Sequence, residues 1–321
     1  MKIYTSISDI SEKFPNACVT IGNFDGVHLG HQQLFSTVVN KARALQGTSI
    51  AITFDPHPLQ VLLPGGIKLI STCEQKVELI EMAGIDVLLI VPFTREFAAT
   101  SADEFVGSLL VGRLGVKELV VGYDYAFGKG RSGNIEFLKR QGEIYGFPVT
   151  VVDAFYVHGQ LVSSTRIREL IRLGEMSTAK ELLGRFYQIR GTVQVGKQRG
   201  GPVIGFPTAN LRLDEEDLVP KLGVYVTQVI CEGKCYGGIL NIGYNPTFGE
   251  QQLVAETHIF DFSEDIYGRP IKVNLLKFLR SERKFSGPGE LTEQIVRDVA
   301  IAKKVLAEQR KELAHSCAGQ F

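Results

Sequence analysis

Neither sign of charge is in excess in this chain: Lys+Arg and Asp+Glu each number 35 in 321 residues. That excludes an overall basic field able to hold a nucleic acid or an anionic membrane, and leaves room only for a local patch. Long hydrophobic runs are missing as well. The longest, Val87 to Phe93, is far too short to cross a bilayer. The first residues, Met1 to Phe14, lack the apolar core of a secretory signal. Cysteine is scarce. Cys18, Cys73, Cys231, Cys235 and Cys317 are odd in number and scattered, which is no disulfide framework. Cys231 and Cys235 flank Glu-Gly-Lys, a predicted hairpin turn; a metal site there would need two more ligands, and no second Cys/His pair is nearby. The expected compartment is the reducing cytoplasm.

What is present reads as two domains, in keeping with the length. In the first half, Ala17–Ile21, Ser49–Phe54, Val87–Val91, Glu118–Val121 and Val149–Val152 are short, apolar and bounded by Gly, Pro or Asp, as buried strands are. Helical stretches lie between them. Thr72 to Gln75 and Ser101 to Glu104 both have the spacing of a capping box ahead of an apolar-periodic run. This alternation predicts a parallel sheet covered on both faces, with ligands beyond the carboxyl ends of its strands. The pattern changes near Leu183. Strand-like segments follow at Ile189–Val195, Val224–Cys231, Cys235–Leu240, Glu256–Phe260 and Ile271–Phe278, punctuated by Gly, Pro and Asn as in an antiparallel barrel or sandwich. After Gly287-Pro288-Gly289 comes a helical run whose Leu291, Ile295, Val299, Ala302 and Leu306 share one face, predicted to pack on the barrel. The boundary is expected near Gly184, giving domains 1–183 and 184–321.

The first strand runs into Gly22-Asn-Phe-Asp-Gly-Val-His28-Leu-Gly-His31 and then into a helix predicted over Gln32 to Leu45. Gly22, Gly26 and Gly30 allow a ligand close to the backbone, and the helix start offers N–H groups and a dipole to an anion. His28 and His31, three apart, face the same way. Two imidazoles there suit charge growing on a triphosphate attacked at its α-phosphorus. The segment resembles the H-x-G-H nucleotidyltransferase superfamily, and the longer string resembles the FAD synthetase (FMN adenylyltransferase) domain of bacterial bifunctional riboflavin kinases. Thr53-Phe-Asp-Pro-His-Pro58, Val121-Gly-Tyr-Asp-Tyr-Ala-Phe-Gly128 and Ser163-Ser-Thr-Arg-Ile-Arg168 fall in the family's order. The resemblance implies an N-terminal Rossmann-like nucleotidyltransferase domain. Its ATP site would be formed by Gly22, Asn23, Phe24 and Gly26, with Ser164, Thr165 and Arg168 as a second phosphate clamp from a helix start. Asp55, His57, Pro58, Asp124 and Phe127 would meet the flavin. FMN phosphate is already an anionic nucleophile, so this transfer needs no general base. Ala126 stands where the family commonly has a basic residue.

The second half opens with glycines at 196, 200, 201 and 205, a spacing that matches neither the Walker loop nor G-x-G-x-x-G. Thr208 and Asn210, two apart in extended chain, put two oxygen donors on one side, of the sort Mg²⁺ accepts beside nucleotide phosphates. Gly205 to Asn210, Gly223-Val-Tyr225, Asn241 to Phe248, Glu256 to Phe262, Tyr267-Gly268 and Phe278 to Phe285 together resemble the riboflavin kinase (flavokinase) family, an antiparallel β-barrel with a terminal helix. The resemblance implies Glu256 as catalytic base, Thr208 and Asn210 as holders of Mg²⁺ with the nucleotide, Gly196, Lys197 and Gly205 around ATP, and Arg280 at the flavin. Chemistry agrees, since the 5′-hydroxyl of riboflavin is a neutral alcohol needing a proton acceptor. Gly201 occupies a position where the family often carries Arg. The expected ligands are thus riboflavin, FMN, FAD and ATP with Mg²⁺, without nucleic acid or membrane, and nothing in the sequence precludes self-association. An aminoacyl-tRNA synthetase would share His28 and His31 but should carry a K-M-S-K-S-like loop, which is missing. Another coenzyme adenylyltransferase would leave the barrel unexplained. A flavin-binding protein on a decayed enzyme scaffold would not be expected to keep His28, His31, Thr208, Asn210 and Glu256.

Overall fold

A computed structural model describes residues 1–194, 205–247 and 250–318 and divides the chain into two units, Met1–Arg166 and Ile167–Phe321. Among the described residues no helix is long and apolar enough to cross a membrane.

The first unit is built on a six-stranded, wholly parallel sheet: β1 Lys2–Tyr4, β2 Ala17–Ile21, β3 Ser49–Asp55, β4 Val87–Pro92, β5 Val116–Gly122 and β6 Val149–Val152, in the order β1-β4-β3-β2-β5-β6. Five of these strands were legible as apolar runs. The three-residue β1, half polar and at an edge, was not. Every residue of β2 is buried, because both faces are covered. On one face Cys18, Ala51, Leu88 and Val120 pack with Leu34, Phe35 and Val38 of helix α1 (Leu29–Ala44). On the other, Val19, Ile21, Ile50 and Leu89 pack with Phe105, Val106 and Leu110. The order places a switch point at β2, whose neighbours β3 and β5 are reached in opposite directions, and ligands of such sheets bind beyond the carboxyl ends there.

Further helices follow: α2 Pro58–Leu62, α3 Cys73–Met82, α4 Arg95–Ala98, α5 Ala102–Glu104, α6 Ile135–Tyr145, α7 Ser164–Leu173 and α8 Met176–Leu183. The predicted box before α3 is complete: Thr72 accepts from the Gln75 N–H and Gln75 from the Thr72 N–H. Before α5 only half of it forms, with Ser101 accepting from Glu104. That helix runs on as a π-helix, Phe105–Arg113, whose capping Leu114 N–H reaches back five residues to Leu109.

In the second unit, strands β9 Tyr187–Thr192, β10 Ala209–Arg212, β11 Gly223–Cys231, β12 Lys234–Thr247, β13 Glu250–Ile259 and β14 Pro270–Arg280 form an antiparallel sheet in the order β10-β13-β12-β11-β14-β9. (A two-stranded ribbon, β7 Tyr156–Val157 and β8 Gln160–Leu161, belongs to the first unit.) The Gln194 N–H donates to the Asn210 carbonyl at 2.9 Å, joining the two edges into a nearly closed barrel. The end of the predicted Ile189–Val195 strand lies outside the described residues. The hairpin turn expected over Glu232 to Lys234 is there, but only Glu232 and Gly233, at φ 49° and 76°, make it, because Lys234 already pairs with Cys231. Cys231 is buried and Cys235 exposed, and no cluster of His, Cys, Asp or Glu suited to a metal occurs among the described residues. Helix α9, Pro288–Ala318, lays Ala302 with Ile295, Val299 and Leu306 against Val224, Val226 and Phe260, as its periodicity predicts. Helices α7 and α8 fall almost wholly in the second unit by contact, so the expected boundary near Gly184 lies within that unit.

Candidate active sites

In the first unit the segment after β2 folds back at the switch point. The Gly22 N–H stays in the sheet, donating to Ile52, and a Cβ on Gly22 would strike the Phe24 ring at 2.6 Å. Gly26 has φ +80° and donates to Ser71 Oγ at 3.0 Å, with Ile70 against its Cα. Both glycines therefore shape the loop, and their own donors are already engaged, Gly22 in the sheet and Gly26 at Ser71. The carbonyl of Asn23 accepts from Thr53 Oγ1. Phe24 is a core residue, edge-on to Phe35 at 4.7 Å and to His31 at 5.3 Å.

His28 caps α1: its Nδ1 accepts the His31 N–H at 3.3 Å, which puts the proton of the neutral ring on Nε2. The helix begins three residues earlier than the periodicity alone suggested, because His28 rather than a serine or aspartate supplies the cap. The two rings stack, 3.6 Å between centroids and 18° between planes. His31 Nδ1 is buried with no hydrogen-bond partner among the described residues. Burial, then the neighbouring His28 and Lys76, hold the His31 pKa well below the usual 6.5, so the ring is neutral at neutral pH.

Two residues missed in the sequence complete this site. Asp25, 4% exposed, accepts from the backbone N–H groups of Ile70 and Ser71 at 3.0 and 3.1 Å, tying the start of α3 to the loop before α1. Lys76, 6% exposed, donates to the Phe54 carbonyl at 3.1 Å, near the end of β3. Burial lowers its pKa, against the opposing pull of Cys73, Asp55 and Asp25. Its signal was present: Lys76 stands in the apolar stripe of Cys73, Val77 and Ile80, where a lysine breaks the helical pattern.

Ser163 caps α7, accepting the Arg166 N–H at 3.2 Å. Ser164 donates its hydroxyl to the Asp25 carbonyl at 2.9 Å, so its one O–H proton docks the motif on the histidine loop. Thr165 is exposed, and Arg168, one turn further along, is buried. His57 caps α2 in a full capping box with Gln60, and Pro58 is the first residue of that helix. Asp55, at the end of β3, and Asp124, beyond β5, are exposed. Phe127 belongs to an aromatic chain, stacked on Tyr125 at 5.5 Å and continued through Phe105, Phe97 and Phe93 to Phe54. The Tyr125 hydroxyl is buried without a partner among the described residues, and burial raises its pKa far above the ordinary tyrosine value. It is a neutral O–H donor.

In the second unit the strand register gathers the candidates. Glu256 on β13 pairs with Asn210 on β10 and with Asn241 on β12, so three side chains lie abreast on one face; the row runs on through Val224 to Arg280. On β13 Ala255, Thr257 and Ile259 point into the core, which leaves Glu256 half-buried on the other face. The Asn210 Nδ2 donates to the Thr208 carbonyl at 3.4 Å, which leaves its Oδ1 as an acceptor. With the half-buried Thr208 hydroxyl this makes two hard oxygen donors, a set that fits Mg²⁺. Gly205 is exposed at φ +76°. Gly196, Lys197 and Gly201 lie outside the described residues. Arg280 grips Asp298 of α9, Nε and Nη2 reaching Oδ2 at 2.9 and 2.8 Å, while Asp298 is 2% exposed. Asn241, abreast of Glu256, belongs to the Asn241 to Phe248 pattern, whose residue types alone assign it no role.

Comparison with known proteins follows the same division. A family model described as FAD synthetase matches residues 10–166, and one described as riboflavin kinase matches residues 183–306. A protein of Bacillus subtilis named bifunctional riboflavin kinase/FMN adenylyltransferase is 38% identical over 310 residues, covering 94% of this chain and 96% of its own. One of the same name from Listeria monocytogenes is 39% identical over 290 residues, covering 88% and 90%. A solved structure from Streptococcus pneumoniae, described as a macrolide-efflux protein, is 31% identical with a TM-score of 0.84 and covers 94% of this chain and 98% of its own.

Proposed function

The chain belongs to the bifunctional riboflavin kinase/FMN adenylyltransferase family, and on that premise we propose how its residues divide the two reactions. It phosphorylates riboflavin to FMN and joins an adenylyl group to FMN to give FAD. We assign adenylyl transfer to residues 1–183 and phosphorylation to 184–321, with ATP as donor to both. The observation that carries this reading is that each family match encloses one constellation, His28 with His31 in 10–166 and Asn210 with Glu256 in 183–306.

In adenylyl transfer an FMN phosphate oxygen attacks the α-phosphorus of ATP, the new P–O bond replaces the bond to the β-phosphate oxygen, and pyrophosphate leaves. The nucleophile is already ionised, so the residues have only to position it and to offset charge. His28 Nε2–H and the His31 ring, at the positive end of α1, face that charge. Burial keeps the His31 ring neutral, so it stacks on His28 at 3.6 Å without a repelling like charge and meets the phosphates as a polar ring. The aromatic chain from Phe54 to Phe127 suits a planar ring system, and the Tyr125 hydroxyl offers it one donor.

In phosphorylation the riboflavin 5′-hydroxyl oxygen attacks the γ-phosphorus of ATP, the new P–O bond replaces the bond to the oxygen bridging to the β-phosphorus, and ADP leaves. Glu256 accepts its proton from its place between Asn210 and Asn241 in the strand register. Mg²⁺, held by Thr208 and Asn210, would supply charge neutralisation across the phosphates. Free thiols at Cys18, Cys73 and Cys231 suit a reducing cytoplasm. The test is chromatography of riboflavin incubated with the chain, ATP and Mg²⁺. FMN followed by FAD is expected; riboflavin bound but unchanged would make the chain a binding protein.

A further inference from the structure

The β10 ladder starts one residue too late to hold Thr208. Its first pair is Ala209 with Thr257, so the backbone of Thr208 and the Pro207 before it have no partner in the sheet register. The residue that would continue the register opposite Thr208 is His258, two along β13 from Glu256 and on the same face. Its side chain takes over. His258 Nδ1 lies 2.8 Å from the Pro207 carbonyl, and because a carbonyl only accepts, Nδ1 carries the hydrogen. The ring is also fixed edge-on to Phe206, 5.2 Å between centroids and 87° between planes, and to Phe260 at 5.8 Å.

We propose that His258 is a positioning residue of the kinase site: its donated hydrogen bond to Pro207 extends the ladder by one rung and holds Thr208 and Asn210 facing the nucleotide. This rests on the kinase reading above. Loss of the bond frees the segment to move, and a hydrogen bond of this kind is worth about a three- to tenfold change in affinity.

The experiment compares His258→Leu, which keeps apolar bulk beside Phe206 without a donor, with His258→Asn, whose Nδ2 can stand where Nδ1 stood. Two readouts are taken on the full chain. The first is the KM for ATP with Mg²⁺ against the KM for riboflavin in FMN formation. The second is deuterium uptake of residues 205–212 without any ligand. His258→Leu should raise the ATP KM about three- to tenfold, leave the riboflavin KM unchanged and speed uptake in 205–212; His258→Asn should restore both. If the leucine variant loses its thermal transition, His258→Ser, too short to reach Pro207, takes its place. A donor-free variant matching the wild type in uptake and ATP KM would overturn the proposal. So would an asparagine variant no better than leucine, since ring packing would then be what matters. A wild-type chain that makes no FMN would sink the kinase reading instead, and the uptake comparison would still judge the hydrogen bond.

Discussion

His28 and His31 stack at 3.6 Å, yet the two rings are held in different ways. His28 is pinned by its capping bond, whereas His31 leans on Phe24 and keeps a buried nitrogen without a partner among the described residues. Changing either to Ala should slow FAD formation from FMN about 10²–10³-fold and leave FMN formation from riboflavin near wild type. Unchanged FAD synthesis in both variants would leave His28 as a helix cap and His31 as a packing residue of α1.

His31 also sets a pH dependence. Its folded pKa is lowered below 6.5, so between the two values the unfolded chain binds more protons than the folded one. Stability should therefore be full above about pH 6.5 and fall as the pH drops below it. Denaturant midpoints of the wild type and of His31→Asn, measured from pH 7.5 downward to about 5, should diverge on the acid side. Parallel curves would contradict a buried neutral ring.

Lys76 contributes to that depression. Lys76→Met keeps the buried stem and removes the charge, so the His31 titration followed by ring-proton NMR should move upward. An unmoved titration would mean that burial and His28 alone set it.

Strand identity was legible because buried parallel strands are apolar throughout, and β11 and β14 are long. Short elements were not: β1 has three residues, and β10 is entered through Gly205 and Pro207. At the sites, residue types at motif positions pointed to His28, His31, Asn210 and Glu256. What they touch depends on tertiary folding that no spacing encodes. Ser164 carries a hydroxyl expected at a phosphate and gives it to the Asp25 carbonyl. Arg280, expected at the flavin, is held by Asp298 from a helix that starts eight positions later in the chain, at Pro288. His57, expected at the flavin, also caps α2 through its Nδ1.

Arg280 and Asp298 give a stability prediction. Removing one partner of a largely buried pair leaves the other uncompensated, at a cost of about 3–5 kcal/mol when burial is complete. With the Arg280 side chain 21% exposed, Asp298→Ala should fall at or below the lower end, about 2–3 kcal/mol, by denaturant unfolding of residues 167–321. A loss under about 0.5 kcal/mol would make the pair a surface contact.

Separability follows from each half enclosing its own constellation. A fragment of residues 184–321 should phosphorylate riboflavin and make no FAD. It should unfold more easily than 167–321, because Met176, Ala179, Leu182 and Leu183 of α8 are buried and α8 packs on β14 and β9. A folded fragment that adenylylates FMN would overturn the division.

The two reactions differ in their need for a base, and Glu256→Gln separates them within one chain. The change keeps the size of the side chain between Asn210 and Asn241 and removes its ability to take a proton. FMN formation from riboflavin should fall about 10²–10⁴-fold, while FAD formation from supplied FMN should match the wild type. Kinase turnover within a few-fold of wild type, or a parallel loss of both activities, would contradict Glu256 as the base of a separate kinase site.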